Sequence, residues 1–139
     1  MLWIVAVMVL ASAACSKGAP AGPQARTGER VVRVTERDFH ITAPARLPPG
    51  DALIQVTNNG PVAHEFIMVR ATDRQMTLRA DGITVDEQAL LPVTVGSLTP
   101  GRAGLVRTLR VHLVPGHYVF FCNMAGHYMG GMDTAVIVG

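Results

Sequence analysis

From Arg30 onward the sequence holds no single hydrophobic rhythm for long: short runs alternate in polarity and are then broken by Pro, Gly or Asn. Alternation with a period of two marks strands, and the breaks mark turns. The runs are Val31–Thr35, Phe39–Ile41, Ala52–Thr57, His64–Val69, Val93–Leu98, Leu105–Val114, His117–Cys122 and Thr134–Val138. Turn signals separate them at Leu47-Pro48-Pro49-Gly50, Asn58-Asn59-Gly60-Pro61, Pro100-Gly101 and Pro115-Gly116. Many short strands at this spacing predict an all-β sandwich or barrel. Only the stretch 71–92 is long and irregular, with an Asp81-Gly82 turn and room for a short helix around Val85–Leu90.

Strand parity sorts the histidines. In the run Leu105–Leu113, Leu105, Leu109, Val111 and Leu113 share the apolar face, which leaves His112 on the solvent face. Phe39 and Ile41 are expected to point inward, so His40 points out. His117 sits at a turn, facing away from the side shared by Tyr118, Phe120 and Cys122. His64 and His127 are left without a structural explanation. Residues 116–132 read GHYVFFCNMAGHYMGGM: a strand delivers Cys122, and a Gly-rich loop follows with His127 and Met132. Upstream, NNGPVAHEFIM puts His64 at the start of another strand. A thiolate, two imidazoles and a thioether form a soft-to-borderline set that selects copper and suits a His₂Cys plane with a weak axial Met. The sharp reversal this loop needs falls to Gly126, Gly130 and Gly131. Taken singly each residue has a plainer reading: Cys122 as a buried apolar thiol, His64 and His127 as surface imidazoles, Met132 as core filler.

At the N-terminus, Leu2–Ala14 is an unbroken apolar run ending in small residues before Cys15. It is too short for a membrane span, which needs about 20 apolar residues, and fits the apolar region of a secretory signal peptide. Small residues directly before a Cys resemble the lipobox of bacterial lipoproteins, which implies lipidation of Cys15. Ordinary cleavage after Ala13 or Ala14 is the alternative. The expected organisation is therefore a signal segment 1–15, a flexible linker 16–29 rich in Gly, Ala and Pro, and a folded domain 30–139. The protein is expected to be exported, to the bacterial periplasm or to a membrane tether facing that side. With 12 basic against 10 acidic residues and no basic stripe, nothing marks it as a nucleic-acid binder.

The alternate residues Gly116, Tyr118, Phe120 and Cys122 match the G-x-Y-x-F-x-C pattern of the cupredoxins, the small blue copper proteins that include plastocyanin, azurin, auracyanin and sulfocyanin. The sequence resembles that family from about Arg30 to Gly139. The spacing Cys122-x4-His127-x4-Met132 is similar to the longer loops of auracyanin and rusticyanin. The resemblance implies a Greek-key β-sandwich of about eight strands, with 71–92 as an irregular or partly helical insertion. It also implies one copper ion held by His64, Cys122 and His127 as equatorial ligands and Met132 as the axial one, with Met124 and Met129 as competing thioethers. Many members have Asn after the first His, where its backbone helps fix the cysteine sulfur; here Glu65 stands there. Its carboxylate is expected beside the site or at the surface, with coordination of the metal as the lesser alternative.

The function implied is a mononuclear one-electron carrier, a monomer that meets redox protein partners transiently through a patch around His127 formed by Pro61, Met124, Ala125 and Met129. Catalysis is not expected, because the chain lacks the further His-x-His or His-Cys-His ligands of multicopper oxidases and nitrite reductases, and four protein ligands leave no open position. The alternative is a periplasmic copper-handling protein, with Met68, Met76, Met124 and Met129 as additional Cu(I) ligands.

Overall fold

The computed structural model describes residues 24–139; the apolar leader, Cys15 and linker residues 16–23 lie outside the described residues. Among the described residues nine strands form two sheets: β1 (Arg30–Arg37), β2 (His40–Thr42), β3 (Arg46–Leu47), β4 (Gly50–Asn58), β5 (His64–Arg70), β6 (Thr94–Gly101), β7 (Val106–Leu113), β8 (Gly116–Phe121) and β9 (Asp133–Val138). The first sheet has the order β2-β1-β4-β7 and the second β3-β9-β8-β5-β6. The chain changes sheets between β2 and β3, β3 and β4, β4 and β5, β6 and β7, and β7 and β8. This is the expected sandwich. β3 has only two residues and pairs in parallel with β9, so no alternation announced it.

The core lies between the sheets, and parity governs it. Val32 and Val34 of β1, Ile54 and Val56 of β4, Phe66 and Met68 of β5, and Tyr118 and Phe120 of β8 are all buried there. Followed toward one end of the sandwich, four of these inward stripes finish in a polar or sulfur-bearing residue that is itself buried: Glu36, Asn58, His64 and Cys122. On β7 the inward stripe Leu113, Val111, Leu109 ends in Arg107, which pairs with Glu36.

Two inward assignments need correction. Leu105 precedes β7 and is exposed, because the chain there is still turning: Leu105 donates to the Arg102 carbonyl at 3.1 Å. Phe39 occupies the β1–β2 turn with φ 61° and is 46% exposed, while Ile41 is buried as expected. His40, His112 and His117 are exposed.

The segment 71–93 carries a one-turn helix α1 (Glu87–Leu90) and a 3₁₀ turn Leu91–Val93. Asp86 caps α1 through its side chain, which accepts from the Gln88 and Ala89 amides. The segment covers the outer face of the second sheet, where Val85 is buried with Ile67, Val69, Val119 and Phe121. Residues 24–29 run against β7, where Arg110 donates to the Gln24 carbonyl at 2.8 Å and pairs with Glu29 at 3.1 Å. Among the described residues no helix is long and apolar enough to cross a membrane.

Candidate metal centre

Three neighbouring strands of the second sheet bring donor residues to one end. β5 begins with His64, β8 stops at Phe121 so that Cys122 comes next, and β9 begins at Asp133, directly after Met132. Both outer strands are antiparallel to β8, so their starts meet its end; the pairs Phe121↔Asp133 and Ile67↔Phe121 set that register. The Cys122 amide donates to the Met132 carbonyl at 3.1 Å, which closes the loop at its base. Within the loop, His127 donates to the Met124 carbonyl at 2.8 Å and Met132 to that of His127 at 3.0 Å. Gly126 and Gly131 take φ of 80° and 90°, where a side chain would be strained. Gly130 serves another purpose: a Cβ there would collide with the Phe39 ring.

The donor atoms converge. His64 Nδ1 lies 3.2 Å from His127 Nδ1, and Cys122 Sγ lies 3.5 Å from the same nitrogen. All three lie within 4.8 Å of one another, and among the described residues no other group of His, Cys, Asp or Glu side chains does this. Two nitrogens and a sulfur bound to one ion at about 2.0–2.3 Å would stand roughly 3.3–3.8 Å apart, so the observed spacing suits a shared metal. Glu65 does not join the cluster. His64, Cys122 and Met132 are fully buried, and His127 is partly exposed. Met129 is 56% exposed and Met124 partly buried, which leaves Met132 as the loop methionine sealed inside with the cysteine.

Burial sets the protonation states. It holds the His64 imidazole below its ordinary value, helped by the neighbouring His127 and opposed by Asp38, so His64 is neutral and able to ligate. Burial also pushes the Cys122 thiol up to about 11, against backbone hydrogen bonds from Met124 and Glu65. The Glu65 amide stands 3.4 Å from Sγ. The backbone contact associated with an Asn at this position is therefore made with Glu65 in its place, since an amide N–H does not depend on the side chain it carries. The Glu65 carboxyl is held above its ordinary value by burial and by nearby Glu87.

Four features around the cluster escaped the sequence reading. Asp38 Oδ1 lies 3.1 Å from His64 Nε2. The Phe39 ring is tilted against that of His127, with centroids 5.5 Å apart. Behind the site, the buried Glu36 carboxylate meets Arg107, whose guanidinium also donates to the Leu98 and Thr99 carbonyls. Finally, Asn123 fastens the loop to the insertion. Its Oδ1 accepts from the Val85 amide at 2.6 Å, and its Nδ2 donates to the Val85 carbonyl at 3.1 Å and to Glu87 at 2.6 Å.

No protein-family model matches the chain, and no curated protein matches it in sequence. Solved structures do match. Reduced auracyanin from Roseiflexus castenholzii superposes with a TM-score of 0.59 at 18% identity, over 84% of this chain and 99% of that one. Auracyanin A from Chloroflexus aurantiacus, described as a "blue" copper protein, gives 0.61 at 16% identity, over 81% and 100%. The fold is that of the cupredoxins. Rusticyanin from Thiobacillus ferrooxidans shares it with a TM-score of 0.54 at 16% identity, over 79% of this chain and 78% of that one. At such identities the likeness fixes the cupredoxin architecture, and the chemistry rests on this chain's own residues.

Proposed function

We propose that this chain is a mononuclear type 1 (blue) copper protein and carries single electrons. The supporting observation is the convergence of two imidazole nitrogens and one thiol sulfur, at 3.2 and 3.5 Å, in a pocket that also buries Met132. On this reading His64, Cys122 and His127 hold the ion, Met132 supplies a weak fourth donor, and Cys122 gives up its proton on binding. Copper in this position supplies the Cu(II)/Cu(I) couple. The residues keep rearrangement small: His64 and Cys122 are anchored by strands, and the loop is tied at its base and to the insertion. Phe66 and Phe120, packed edge to face at 5.3 Å, keep water from the inner side, and a low-polarity shell favours the lower-charged ion.

His127 is the ligand nearest solvent, so it is the natural port for the electron. Against its ring stands Phe39, 46% exposed, and in the same loop Met129 is exposed and Met124 half-buried; Pro61 and Val62, in the turn before His64, are also exposed. This apolar surface suits brief contact with redox protein partners. Glutamate in place of Met129 should slow exchange with a partner and leave the visible spectrum unchanged. Export, a tether through Cys15, a periplasmic setting and a monomeric state belong to the same proposal. The copper-handling alternative is weakened by Met68, which lies fully buried in the core and out of reach of a transfer partner.

The test is Cu(II) titration of the full-length protein, followed by visible absorption and electron spin resonance. An intense thiolate-to-copper band with narrow copper hyperfine splitting, lost in Cys122→Ser, supports the reading. Weak, ordinary copper signals from the wild-type protein contradict it.

A further inference from the structure

We propose that Asp38 is a positioning residue for the metal centre: it fixes the tautomer and orientation of His64, and its charge lowers the reduction potential. The inference rests on the copper reading for its second half only. His64 is fully buried, and its two ring nitrogens face different partners. Nδ1 points into the donor cluster, 3.2 Å from His127 Nδ1, and Nε2 lies 3.1 Å from Asp38 Oδ1. A neutral imidazole carries one proton. With the carboxylate accepting at Nε2, that proton is held there and Nδ1 keeps its lone pair toward the metal position. A carboxylate on the far nitrogen of a ligating histidine also raises the basicity of the ligating one. The more highly charged ion is then favoured, which lowers the potential.

The surrounding chain is arranged around this contact. Asp38 leaves β1 at the turn where Phe39 takes φ 61°, an uncommon conformation for a bulky residue. That single turn therefore touches both histidines, Asp38 at the His64 edge and Phe39 against the His127 ring. From the other side, a Cβ on Gly60 would stand 2.9 Å from Asp38 Oδ1 and 3.0 Å from His64 Nε2, so only glycine lets the pair meet undisturbed. Buried Asn58 fixes Gly60 in place: its Oδ1 accepts from the Gly60 amide at 2.8 Å, and its Nδ2 donates to the Val62 and Gly101 carbonyls at 2.7 and 2.8 Å. The Asp38 side chain is 36% exposed, so the same carboxylate links the buried ligand to the surface.

Two readouts on the full-length protein test this. In the metal-free protein, nitrogen-detected histidine NMR should show His64 as a single Nε2–H tautomer with a slowly exchanging ring proton. Asp38→Ala should speed that exchange at least tenfold and mix the tautomers, and Gly60→Ala should do the same with the charge still present. In the copper-loaded protein, Asp38→Asn keeps the shape and removes the charge. It should retain the thiolate band while the preference for Cu(II) over Cu(I) falls about tenfold, a rise in potential of about 59 mV for one electron. Unchanged His64 exchange in Asp38→Ala overturns the proposal, as does an unchanged potential in Asp38→Asn. If the wild-type protein shows no thiolate band, the copper reading fails, and the metal-free NMR still decides the role of Asp38.

Discussion

The two walls of the metal centre are held by opposite means. The strand wall, built on β1, β4, β5 and β7, relies on polar and charged side chains: buried Asn58, buried His64 against the part-exposed Asp38, and buried Glu36 against Arg107. The loop wall, residues 123–132, is held largely through backbone groups of the insertion. Asn123 binds both polar atoms of the Val85 backbone, Gly126 donates to the Ile83 carbonyl at 3.0 Å, and Tyr128 accepts from the Met76 amide at 3.0 Å while donating to the Arg74 carbonyl. A buried charge pair is costly to break and responds to pH, whereas amide contacts contribute in small, nearly independent steps. The contrast suits the proposed electron carrier: His64 is fully buried in the strand wall, and His127, partly exposed, lies in the loop wall.

The largest expected effect lies in the strand wall. Glu36→Ala leaves the Arg107 guanidinium buried without its carboxylate and should lower the unfolding free energy by about 3–5 kcal/mol, measured by urea melts of the metal-free protein above pH 7, where the Glu36 carboxyl is ionised. Replacing both residues, Glu36→Leu with Arg107→Met, should recover most of that loss.

The next effect is a pH slope. Burial raises the Glu36 carboxyl from 4.5 to about 7, with Arg107 opposing the shift. The folded chain thus keeps a proton that the unfolded chain releases, and stability should fall as pH rises from about 4.5 to about 7. The full span is about 3 kcal/mol. Glu36→Gln should make this contribution vanish in metal-free protein melted across the range, leaving only the slope due to Glu65 and His64; a slope identical to wild type would place its origin elsewhere.

The loop wall should respond more weakly and without a change of slope. Asn123→Ala strands the Val85 amide and carbonyl and should cost about 2 kcal/mol at every pH from 4.5 to 7, with faster amide exchange at Val85 and Gly126. Tyr128→Phe removes one hydroxyl with two partners and should cost about 1 kcal/mol. A larger loss from Tyr128→Phe than from Glu36→Ala would reverse the comparison between the walls.

The two walls also differed in how legible they were. The loop wall's donors could be read because they are close in sequence: Cys122, His127 and Met132 are set by chain spacing, and the strand before them by the alternation of Tyr118 and Phe120. His64 emerged once parity had accounted for the other three histidines. The second layer stayed hidden because it depends on pairing between distant strands. Glu36 meets Arg107 only because β1 and β7 both flank β4, although its parity with Val32 and Val34 was a signal that it points inward. Asp38 and Phe39 act through a turn whose left-handed residue is a phenylalanine, where composition suggests nothing unusual. Asn123 depends on the path of the insertion, a segment with no rhythm to follow.

The central claim is that these residues hold one copper ion through repeated changes of charge. The direct measurement is cyclic voltammetry of the copper-loaded full-length protein, with bound copper counted before and after many cycles. The account predicts a single reversible one-electron wave and no loss of metal. An irreversible wave with copper released on reduction would contradict it and favour a copper-handling role.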